Sequence, residues 1–558
     1  MSSESVVDLF EAASRAFPSS AALVLESGES LSYRELDAAT TALALGIAPH
    51  LHPASPGEVD LTSTPLVCVM MHRHAALVAC FLAVLKCGAA YVPVDPSFPP
   101  ERQAYIFGQS KCALLVTDEA CFEAAKQLGV SMPSNIVVSS TTAQIVAPVN
   151  GQLASVKTLV EMRGYSKRRE GGGLMYVLYT SGSTGKPKGV MVKSSGVLNT
   201  VTWFVRELQV GSGSRVLGLT TTCFDISMLE IFMPLVSGGT LVLATSATQK
   251  NPFRLLDVVR EQRVSVFQAT PTTYEMMLAT GWCGDPAIDF LVGGEAFRPA
   301  LLPLLGRCRS LRNVYGPTET SIWSSSFTLP PSANQLPGYV LGARVGVPIG
   351  TPISATQFYL VDPTDTKGLA QGDEGELWIG GTGVAAGYLN APELTSSRFI
   401  PNPFGEGTVY RTGDWVRRLP CGNFAFERRL DDQVKIDGFR IELEEVEAVF
   451  SSHGLVEQAV AVVRDNKLIV YLKAVHGQSL SPELMRDIET FAGRSLTHYM
   501  MPKYALNIFF ISLSVQLGTL CRSIPFRSQP TENLIEMLCL PHPANRTQSQ
   551  HRARSCRR

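Results

Sequence analysis

Hydrophobic and polar residues alternate along most of the chain in two kinds of block. Some apolar runs have the length of a strand, and the segments between them show apolar residues at helical spacing. One example runs from a helical segment at Leu255–Arg260, through an apolar run at Val264–Gln268, to a second helical segment at Thr273–Leu278. Chains that alternate in this way fold as helices layered on sheets. We therefore expect an α/β fold over most of the chain.

The longest apolar stretch, Pro65–Val94, is interrupted by histidines, by charged residues, and by a glycine and a proline. These are His72, Arg73, His74, Lys86, Gly88 and Pro93. A membrane-spanning helix needs about 20 predominantly apolar residues in a row, so the stretch instead predicts a buried strand, a helix and a second strand. The segment Met1–Phe10 lacks the basic and apolar regions of a signal peptide. We expect a cytoplasmic protein with no membrane partner.

The pattern becomes more compact from about Glu427 onwards. Ile441–Ser451 and Pro482–Leu496 have helical spacing, and Gln458–Arg464 and Lys467–Ala474 have the pattern of paired strands. A segment of this size is near the lower limit for a self-sufficient core. These elements predict a small α+β domain that follows a large domain.

We divide the chain into three parts on this basis. Residues 1–426 are predicted to form a large, multi-lobed domain of layered sheets and helices, and residues 427–505 a small, incomplete C-terminal domain. Residues 506–558 change again, from an apolar run to a basic, low-complexity end. We expect this tail to be disordered, or to result from an intron or a frameshift in the gene model.

The composition argues against several classes of function, but it does not identify the reaction. The 558 residues are 45% hydrophobic, as in an ordinary globular enzyme, and carry a net charge of −1. This balance gives no electrostatic reason to expect nucleic acid or an acidic membrane as a partner. The 12 cysteines form no CxxC pair, and no His and Cys residues have the sequence spacing of a zinc site. We therefore expect the reduced thiols of a cytosolic protein.

The strongest chemical signal is the loop Leu178–Gly189 (LYTSGSTGKPKG), which follows the apolar run Leu174–Tyr179. Glycines allow positive φ and a close approach of the backbone to a ligand, and amides, hydroxyls and ammonium groups together can cradle phosphates. The loop lacks the spacing of a P-loop, because its lysine is followed by proline. Two lysines directly after a strand argue against a flexible Gly/Ser linker. The residues by themselves therefore indicate a polyphosphate-binding loop.

This loop resembles the signature loop of the adenylate-forming superfamily, which contains acyl-CoA synthetases, luciferases and the adenylation domains of peptide synthetases. Further strings resemble the family's motifs in the family's order, from about residue 8 to about residue 504. They are Leu31–Leu36 (LSYREL), Leu85–Asp95 (LKCGAAYVPVD), Phe224–Phe232 (FDISMLEIF), Tyr315–Thr320 (YGPTET), Gly375–Gly381 (GELWIGG), Tyr410–Asp414 (YRTGD), Asp431–Ile436 (DDQVKI) and Gly438–Leu443 (GFRIEL). The chain most resembles the amino-acid adenylation domains of nonribosomal peptide synthetases.

The resemblance implies ATP as a substrate and gives roles to the residues that match the family's motifs. For the phosphates these are Thr180, Ser181, Gly182, Thr184 and Lys186, with Thr318 at the α-phosphate. For the nucleoside they are Tyr315 stacked on adenine, Gly294 and Glu295 along the base, and Asp414 on the ribose with Arg429 nearby. Glu319 would hold Mg²⁺, since a carboxylate beside phosphates suits a hard cation. The predicted catalytic residues are Lys186, Thr318, Glu319 and Arg429, because attack on phosphorus needs positioning and charge neutralisation.

The resemblance also implies the nature of the second substrate. Asp225 stands at the family position that pairs with an α-ammonium group, and a carboxylate in an apolar pocket needs such a cation. The other pocket positions are Ile226, Leu229, Gln268 or Ala269, Leu291, Gly293, Val314, Ile322 and Trp323. Trp323 among aliphatic residues leaves little volume, and the set resembles the pattern associated with glycine. Alanine is a rival, because one methylene changes binding by only about 1–3 kcal/mol, and the alternative for Trp323 is an ordinary core residue.

Two features of the C-terminal part bear on the reaction. The resemblance places a hinge between the domains at Asp431, and Leu496–Pro502 (LTHYMMP) resembles the family's penultimate motif. The lysine-bearing loop expected after it is missing, since Asn507–Leu520 contains no lysine. Loss of such a charge at the transition state costs on the order of 10²–10³ in rate. The resemblance therefore predicts either a wrong gene model or a truncated protein with weak or no adenylation activity.

Three functional hypotheses follow. The first is activation of an amino acid, with glycine as the best match, to aminoacyl-AMP, and its transfer to the phosphopantetheine thiol of a separate carrier protein or a downstream synthetase module. The second is an acyl-CoA ligase, which Asp225 disfavours. The third is a nucleotide-binding remnant without turnover, which the missing lysine favours.

Overall fold

The structure is a computed structural model. It describes residues 4–51, 61–128, 134–138, 163, 172–182, 185–332, 346–362, 372–464, 466–475 and 480–507. Thr184, predicted to contact phosphate, and residues 508–558 of the predicted tail lie outside the described residues.

The described helices are, in chain order, α1 (Val6–Ala16), α2 (Tyr33–Ile47), α3 (Ala75–Lys86), α4 (Pro100–Ser110), α5 (Glu119–Gln127), α6 (Ser194–Glu207), α7 (Ile226–Ser237), α8 (Ser246–Gln249), α9 (Pro252–Glu261), α10 (Pro271–Leu278), α11 (Pro392–Arg398), α12 (Leu443–Ser451) and α13 (Pro482–Ala492).

The described strands are, in chain order, β1 (Ala21–Leu25), β2 (Ser30–Ser32), β3 (Leu66–Met70), β4 (Ala90–Pro93), β5 (Leu114–Asp118), β6 (Asn135–Val138), β7 (Leu174–Thr180), β8 (Lys188–Lys193), β9 (Arg215–Gly218), β10 (Thr240–Leu243), β11 (Val266–Ala269), β12 (Asp289–Val292), β13 (Ser310–Tyr315), β14 (Ser325–Thr328), β15 (Thr351–Pro352), β16 (Thr356–Val361), β17 (Glu374–Gly381), β18 (Gly387–Tyr388), β19 (Phe399–Pro401), β20 (Thr408–Arg418), β21 (Phe424–Arg429), β22 (Gln433–Ile436), β23 (Phe439–Glu442), β24 (Val456–Arg464), β25 (Lys467–Ala474) and β26 (Tyr504–Asn507).

The alternation of helices and strands in the large domain is confirmed where it was predicted. Leu255–Arg260 lies in α9, Val264–Gln268 overlaps β11, and Thr273–Leu278 lies in α10. The longest apolar stretch forms β3, α3 and β4. α9 begins at Pro252 because Asn251 accepts hydrogen bonds from two backbone amides of the first turn, and proline fits the first helical position.

Two sheets of mostly parallel strands form the frame of the large domain. Their strand orders are β18-β8-β7-β4-β3-β5-β6 and β15-β14-β13-β12-β11-β9-β10-β1-β2. α3 and α7 are almost entirely buried and share one hydrophobic core with both sheets. The hydroxyl of Tyr33 on α2 donates to the carbonyls of Pro234 at 2.9 Å and Gly239 at 2.7 Å, which fixes the end of α7.

A third sheet connects this frame to the C-terminal part of the chain. Its strand order is β16-β17-β20-β19, and β21 pairs with β20. β21 crosses the predicted boundary at 426/427 and reaches Arg429, because Arg429 pairs with Asp414 on β20. The position of the domain boundary stays a prediction.

The small C-terminal domain has a hydrophobic core of its own. It contains the hairpin β22-β23, the sheet β24-β25-β26 and the helices α12 and α13. The predicted paired strands are confirmed by β24 and β25. Two helix ends were predicted wrongly. The helix expected from Ile441 begins at Leu443 because β23 precedes it, and the helix expected to reach Leu496 ends at Ala492, where Gly493 has low helix propensity.

Candidate active site

A cavity of about 900 Å³ lies where the large domain, the third sheet and the small domain meet. Segments that follow the carboxyl ends of parallel strands line it, which is the usual position of ligand sites in such sheets. The predicted site residues that line it are Thr180, Ser181, Asp225, Ile226, Gly294, Tyr315, Thr318, Trp323, Asp414 and Arg429. The fold therefore brings together residues that are far apart in the sequence.

The other described site residues do not line the cavity. They are Gly182, Lys186, Leu229, Gln268, Leu291, Gly293, Glu295, Val314, Glu319, Ile322 and Asp431. The four aliphatic members of this group are buried in the same core cluster as Trp323, so they support the wall rather than form it. Glu295 turns away from the cavity, because its carboxylate accepts a hydrogen bond from Thr272 and pairs with Arg298.

Buried hydrogen bonds hold the indole of Trp323 in the cavity wall. Its Nε1 donates to Oε1 of Gln268 at 2.8 Å, and Nε2 of Gln268 donates to Oε1 of Glu230 at 3.0 Å. Of the two alternatives Gln268 and Ala269, Gln268 therefore makes the hydrogen bond to Trp323. A Cβ atom on Gly293 would lie 2.6 Å from the indole, so the glycine provides the space that the ring fills.

Asp225 is a buried carboxylate in the cavity wall. The residue is 3% exposed, and its Oδ2 has no hydrogen-bond partner among the described residues. Burial raises the pKa of Asp225 to about 6, and the nearby charge of Glu319 also raises it, while Thr318 and Lys435 act in the opposite direction. A carboxylate in such a place gains most from a cationic ligand that desolvates with it.

Asp414 and Asp431 are connected through the guanidinium of Arg429. One carboxylate oxygen of Asp414 accepts a hydrogen bond from the hydroxyl of Tyr315 at 2.5 Å, and the other accepts one from Nη1 of Arg429 at 2.8 Å. Nε and Nη2 of Arg429 donate to the two oxygens of Asp431 at 2.8 and 2.6 Å. The predicted ribose ligand and the predicted hinge residue therefore share one cation.

Glu319 is fully buried beside the cavity. Its Oε2 accepts a hydrogen bond from Nη1 of Arg440 at 2.7 Å, its Oε1 accepts one from the hydroxyl of Tyr388 at 2.8 Å, and Nζ of Lys188 lies 3.8 Å from Oε1. Burial opposes ionisation, but Arg440 and Lys188 lower the pKa of Glu319 to about 2. Since two cationic side chains already surround the carboxylate, the site does not fit Mg²⁺ in this arrangement. The role of Glu319 as a metal ligand stays a prediction.

The small domain contacts the predicted phosphate loop directly. The hydroxyl of Ser181 donates to the carbonyl of Arg440 at 2.8 Å, and the amide of Gly182 donates to Oε2 of Glu445 at 3.0 Å. Oε1 of Glu445 forms a buried ion pair with Arg102 on α4 at 2.8 Å. A phosphate bound at the amide of Gly182 would therefore require Glu445 to move away.

Sequence reasoning did not find two cations that the small domain brings to the cavity. Lys435 and Arg440 pair across the hairpin β22-β23, so their side chains share one face, and both line the cavity. Burial lowers the pKa of Lys435. The sequence signal that could have indicated this hairpin is the dipeptide Asp437-Gly438, which favours a two-residue hairpin turn. The structure has φ angles of 51° and 86° at these two residues, as such a turn requires.

The two lysines of the phosphate loop have different environments. Lys186 is exposed and lies outside the cavity wall. Lys188, which sequence reasoning did not select, lies 3.8 Å from Glu319 and 3.4 Å from Glu442. Burial, together with the charge of Arg440, lowers the pKa of Lys188 to about 8. The role of Lys186 stays a prediction.

The helices within the described ranges all fall short of the length and hydrophobicity needed to cross a membrane.

Comparison with known proteins defines the class. A family model described as "AMP-binding enzyme" matches residues 10–389. The chain therefore belongs to the AMP-binding enzyme family. This match confirms the resemblance to adenylate-forming enzymes that the sequence motifs show, and with it the α/β fold class and the membership of a ligase family.

Individual relatives are large peptide synthetases. The chain is 34% identical over 508 residues to a dimodular nonribosomal peptide synthase of Bacillus subtilis (strain 168), with 89% of this chain and 20% of that protein covered. It is 34% identical over 509 residues to tyrocidine synthase 1 of Brevibacillus parabrevis, with 90% and 43% covered. A crystal structure of a four-domain nonribosomal peptide synthetase bound to AMP and glycine matches with a TM-score of 0.65 and 31% identity, over 95% of this chain and 37% of that one. The chain thus spans less than half the length of these relatives.

Proposed function

We propose that this chain activates an amino acid with ATP and passes the aminoacyl group to the phosphopantetheine thiol of a carrier protein or a downstream synthetase module. Glycine is the proposed amino acid. The observation that carries the proposal is the buried carboxylate of Asp225, whose Oδ2 has no hydrogen-bond partner among the described residues, in a cavity wall that also contains the fixed indole of Trp323. Two kinds of relative support it, namely the peptide synthetases of similar sequence and the neighbour bound to AMP and glycine.

The geometry around Asp225 suits a small α-amino acid. The carboxylate would accept hydrogen bonds from the substrate ammonium group, which compensates for the desolvation of both charges. Trp323 closes the wall next to it, and Gly293 allows the ring to sit there without a clash. A larger substrate side chain would have to displace a ring that is 1% exposed and hydrogen-bonded.

The proposed first step joins a carboxylate oxygen of the amino acid to the α-phosphorus of ATP and breaks the bond to pyrophosphate. Tyr315 would stack on adenine, Gly294 would allow the base to approach the backbone, and Asp414 would bind the ribose hydroxyls. Thr318 lines the cavity next to Asp225, so its hydroxyl could orient the reacting α-phosphate between nucleotide and amino acid. Catalysis by such groups consists of positioning and electrostatic stabilisation.

The contacts of the small domain support a proposal of domain movement about Asp431. In the arrangement described, Arg440 pairs with Glu319 and Glu445 accepts the amide of Gly182. Binding of a triphosphate along the loop at Thr180, Ser181, Gly182 and Lys186 would require these small-domain residues to leave. Rotation about Asp431, which follows the end of β21, would release them together. The second half-reaction would then use the arrangement described, with the carrier thiol entering the cavity.

ATP–pyrophosphate exchange tests this function. The chain is assayed with glycine, alanine, leucine and phenylalanine, and the variant Asp225→Asn is compared with Asp257→Asn, which changes an exposed aspartate on α9. We expect the fastest exchange with glycine, a loss on the order of 10²-fold in Asp225→Asn, and no change in Asp257→Asn. Exchange with glycine no faster than with leucine would overturn the glycine assignment.

Two further outcomes separate the alternatives. ATP binding without exchange for any amino acid would favour the nucleotide-binding remnant, for which the missing lysine in Asn507–Leu520 is the motivating observation. Formation of a CoA thioester from a carboxylic acid without an amino group would favour the acyl-CoA ligase. Direct measurement of ATP binding, for example by calorimetry, accompanies each assay so that these outcomes are distinguished.

A further inference from the structure

Three side chains with metal-ligating atoms converge beside the cavity, and one of them, His72, lines it. His72 follows β3, Asp118 ends β5, and Cys121 lies in the first turn of α5. Nδ1 of His72 is 3.0 Å from Oδ2 of Asp118 and 3.4 Å from Sγ of Cys121, and the three ligand atoms all lie within 4.8 Å of one another. The fold assembles this cluster from two neighbouring parallel strands, so it has no fixed spacing in the sequence.

His74 adds an independent observation next to this cluster. Its Nε2 lies 3.5 Å from Oδ2 of Asp118. Both ring nitrogens are shielded from solvent, and neither makes a hydrogen bond within the part of the chain that the structure describes. Apart from the contact of Nε2 with Asp118, this imidazole loses its hydration without compensation. A bound cation would provide that compensation.

Two backbone amides fix the orientation of the Asp118 carboxylate. Its Oδ1 accepts the amide of Cys121 at 2.7 Å and its Oδ2 accepts the amide of His72 at 2.8 Å. Asp118 also caps α5, so a purely structural role accounts for the carboxylate. That role does not account for the free nitrogens of His74, nor for the thiol of Cys121 beside the ring of His72. Hydrogen bonds that fix the ligand groups are typical of metal centres.

We propose that His72, Asp118 and Cys121 bind Zn²⁺ and that His74, whose Nε2 lies 3.5 Å from Asp118, turns towards the ion as the fourth ligand. Imidazole, carboxylate and thiolate are the ligands of zinc, at about 2.0–2.3 Å in a tetrahedron, which separates neighbouring ligand atoms by roughly 3.3–3.7 Å. The distances of 3.0 Å from Nδ1 of His72 to Oδ2 of Asp118 and of 3.4 Å from the same nitrogen to Sγ of Cys121 are close to these values. On binding, the S–H bond of Cys121 breaks, a Zn–S bond forms and the proton passes to solvent.

The ion would tie the loop between β3 and α3 to the start of α5. The same loop carries Arg73, whose guanidinium donates to the carbonyls of Gly218 and Thr220 at 2.6 Å and so joins the two large sheets. His72 and Arg73 both line the cavity. Zn²⁺ would therefore fix one rim of the cavity, and it would stabilise the folded chain by mass action.

Titration of the metal-stripped full chain with Zn²⁺ and with Co²⁺ tests this site. We expect one tightly bound ion, a thiolate-to-cobalt charge-transfer band, and a higher unfolding temperature with Zn²⁺. Cys121→Ser should abolish the band. His72→Ala should weaken binding at least about tenfold, and the fold should tolerate it because this side chain is 62% exposed. The matched control is Cys283→Ser, which removes an exposed thiol and should change nothing.

The proposal is overturned if the band persists in Cys121→Ser, if it is lost equally in Cys283→Ser, or if the stripped chain binds no Zn²⁺. Circular dichroism of each variant without metal shows whether the fold is intact, and the exposed His72 gives a result even if Cys121→Ser unfolds. These readouts do not depend on amino-acid activation. Hard-cation binding at a carboxylate such as Glu319 gives no thiolate band, so it is not mistaken for this site.

Discussion

The indole Nε1 of Trp323 donates a hydrogen bond to Oε1 of Gln268 at 2.8 Å, and this bond connects the wall of the substrate cavity to the neighbouring strand β11. Gln268 is oriented in turn by Glu230, whose carboxylate accepts the backbone amides of Leu219 and Thr220 at 2.8 and 2.9 Å. The position of the ring is therefore set by directional bonds as well as by packing. We expect it to resist displacement by a larger ligand.

Removal of the indole should change which amino acids the cavity accepts. In Trp323→Ala the wall of the substrate cavity opens, so the exchange rates with leucine and phenylalanine should rise relative to the rate with glycine. The change should be roughly 10–200-fold for a methylene-sized volume that the ring excludes in the unmodified chain. Pyrophosphate exchange with each amino acid measures the change. Trp282→Ala, which removes an indole outside the cavity, is the control. An equal change of selectivity in both variants would contradict the role of Trp323.

A side chain at Gly293 should displace the same ring. The Cβ of Gly293→Ala would lie 2.6 Å from the indole and 2.6 Å from the carbonyl of Val314. This overpacking should lower the free energy of unfolding by about 1–3 kcal/mol. The displaced ring should also weaken the binding of glycine. Gly213→Ala is the matched control, since nothing lies within 4 Å of its Cβ. Urea unfolding and calorimetry with glycine check both effects. Gly293→Ala with unchanged stability and affinity would show that the ring yields freely.

Ten of the residues that line the cavity were singled out from the sequence, because they lie within or beside short motifs. Tyr315 stands at the carboxyl end of a strand and Asp225 and Thr318 in the segments that follow one, whereas Asp414 lies within β20. Such positions are set by local sequence, since the strand directs the residues after it towards the ligand face. The short motifs therefore predict both the fold and that part of the site.

The side chains that sequence reasoning missed depend on contacts between distant segments. Lys435 and Arg440 reach the cavity only because the hairpin β22-β23 packs against the large domain. Lys188 is half-buried and has carboxylate neighbours only because Glu319 and Glu442 approach it from two different parts of the chain. Local sequence patterns predict neither the docking of the hairpin nor the ion pairs of Lys188, because both are consequences of tertiary packing.

The affinity for an amino acid should depend on the ionisation of Asp225. Burial raises the pKa of this carboxyl to about 6, so the charged form that attracts an ammonium group is present above this pH and is lost as the pH falls through it. The affinity should therefore fall about tenfold for each pH unit below the pKa. Calorimetry with a non-hydrolysable glycyl-adenylate analogue between pH 5 and pH 8 measures the slope. Asp225→Asn should bind weakly at every pH, and the same slope in that variant would assign the titration to another group.

Docking of the small domain should depend on the absence of a side chain at Gly438. This residue has a φ of +86°, and a Cβ atom there would lie 2.4 Å from Cγ2 of Thr270 on the large domain. Gly422 has a similar φ of +83° with nothing within 4 Å, so Gly422→Ala carries only the backbone penalty of about 1 kcal/mol. Gly438→Ala should carry that penalty and also separate the hairpin β22-β23 from the cavity.

Limited proteolysis and urea unfolding distinguish the two glycine variants. In Gly438→Ala we expect faster cleavage between the third sheet and the small domain, because the contacts of Arg440 with Glu319 and of Glu445 with Gly182 should loosen together with the hairpin. Gly422→Ala should be cleaved at the rate of the unmodified chain. Equal cleavage of both variants would mean that Thr270 moves aside and that the arrangement of the two domains does not depend on this contact.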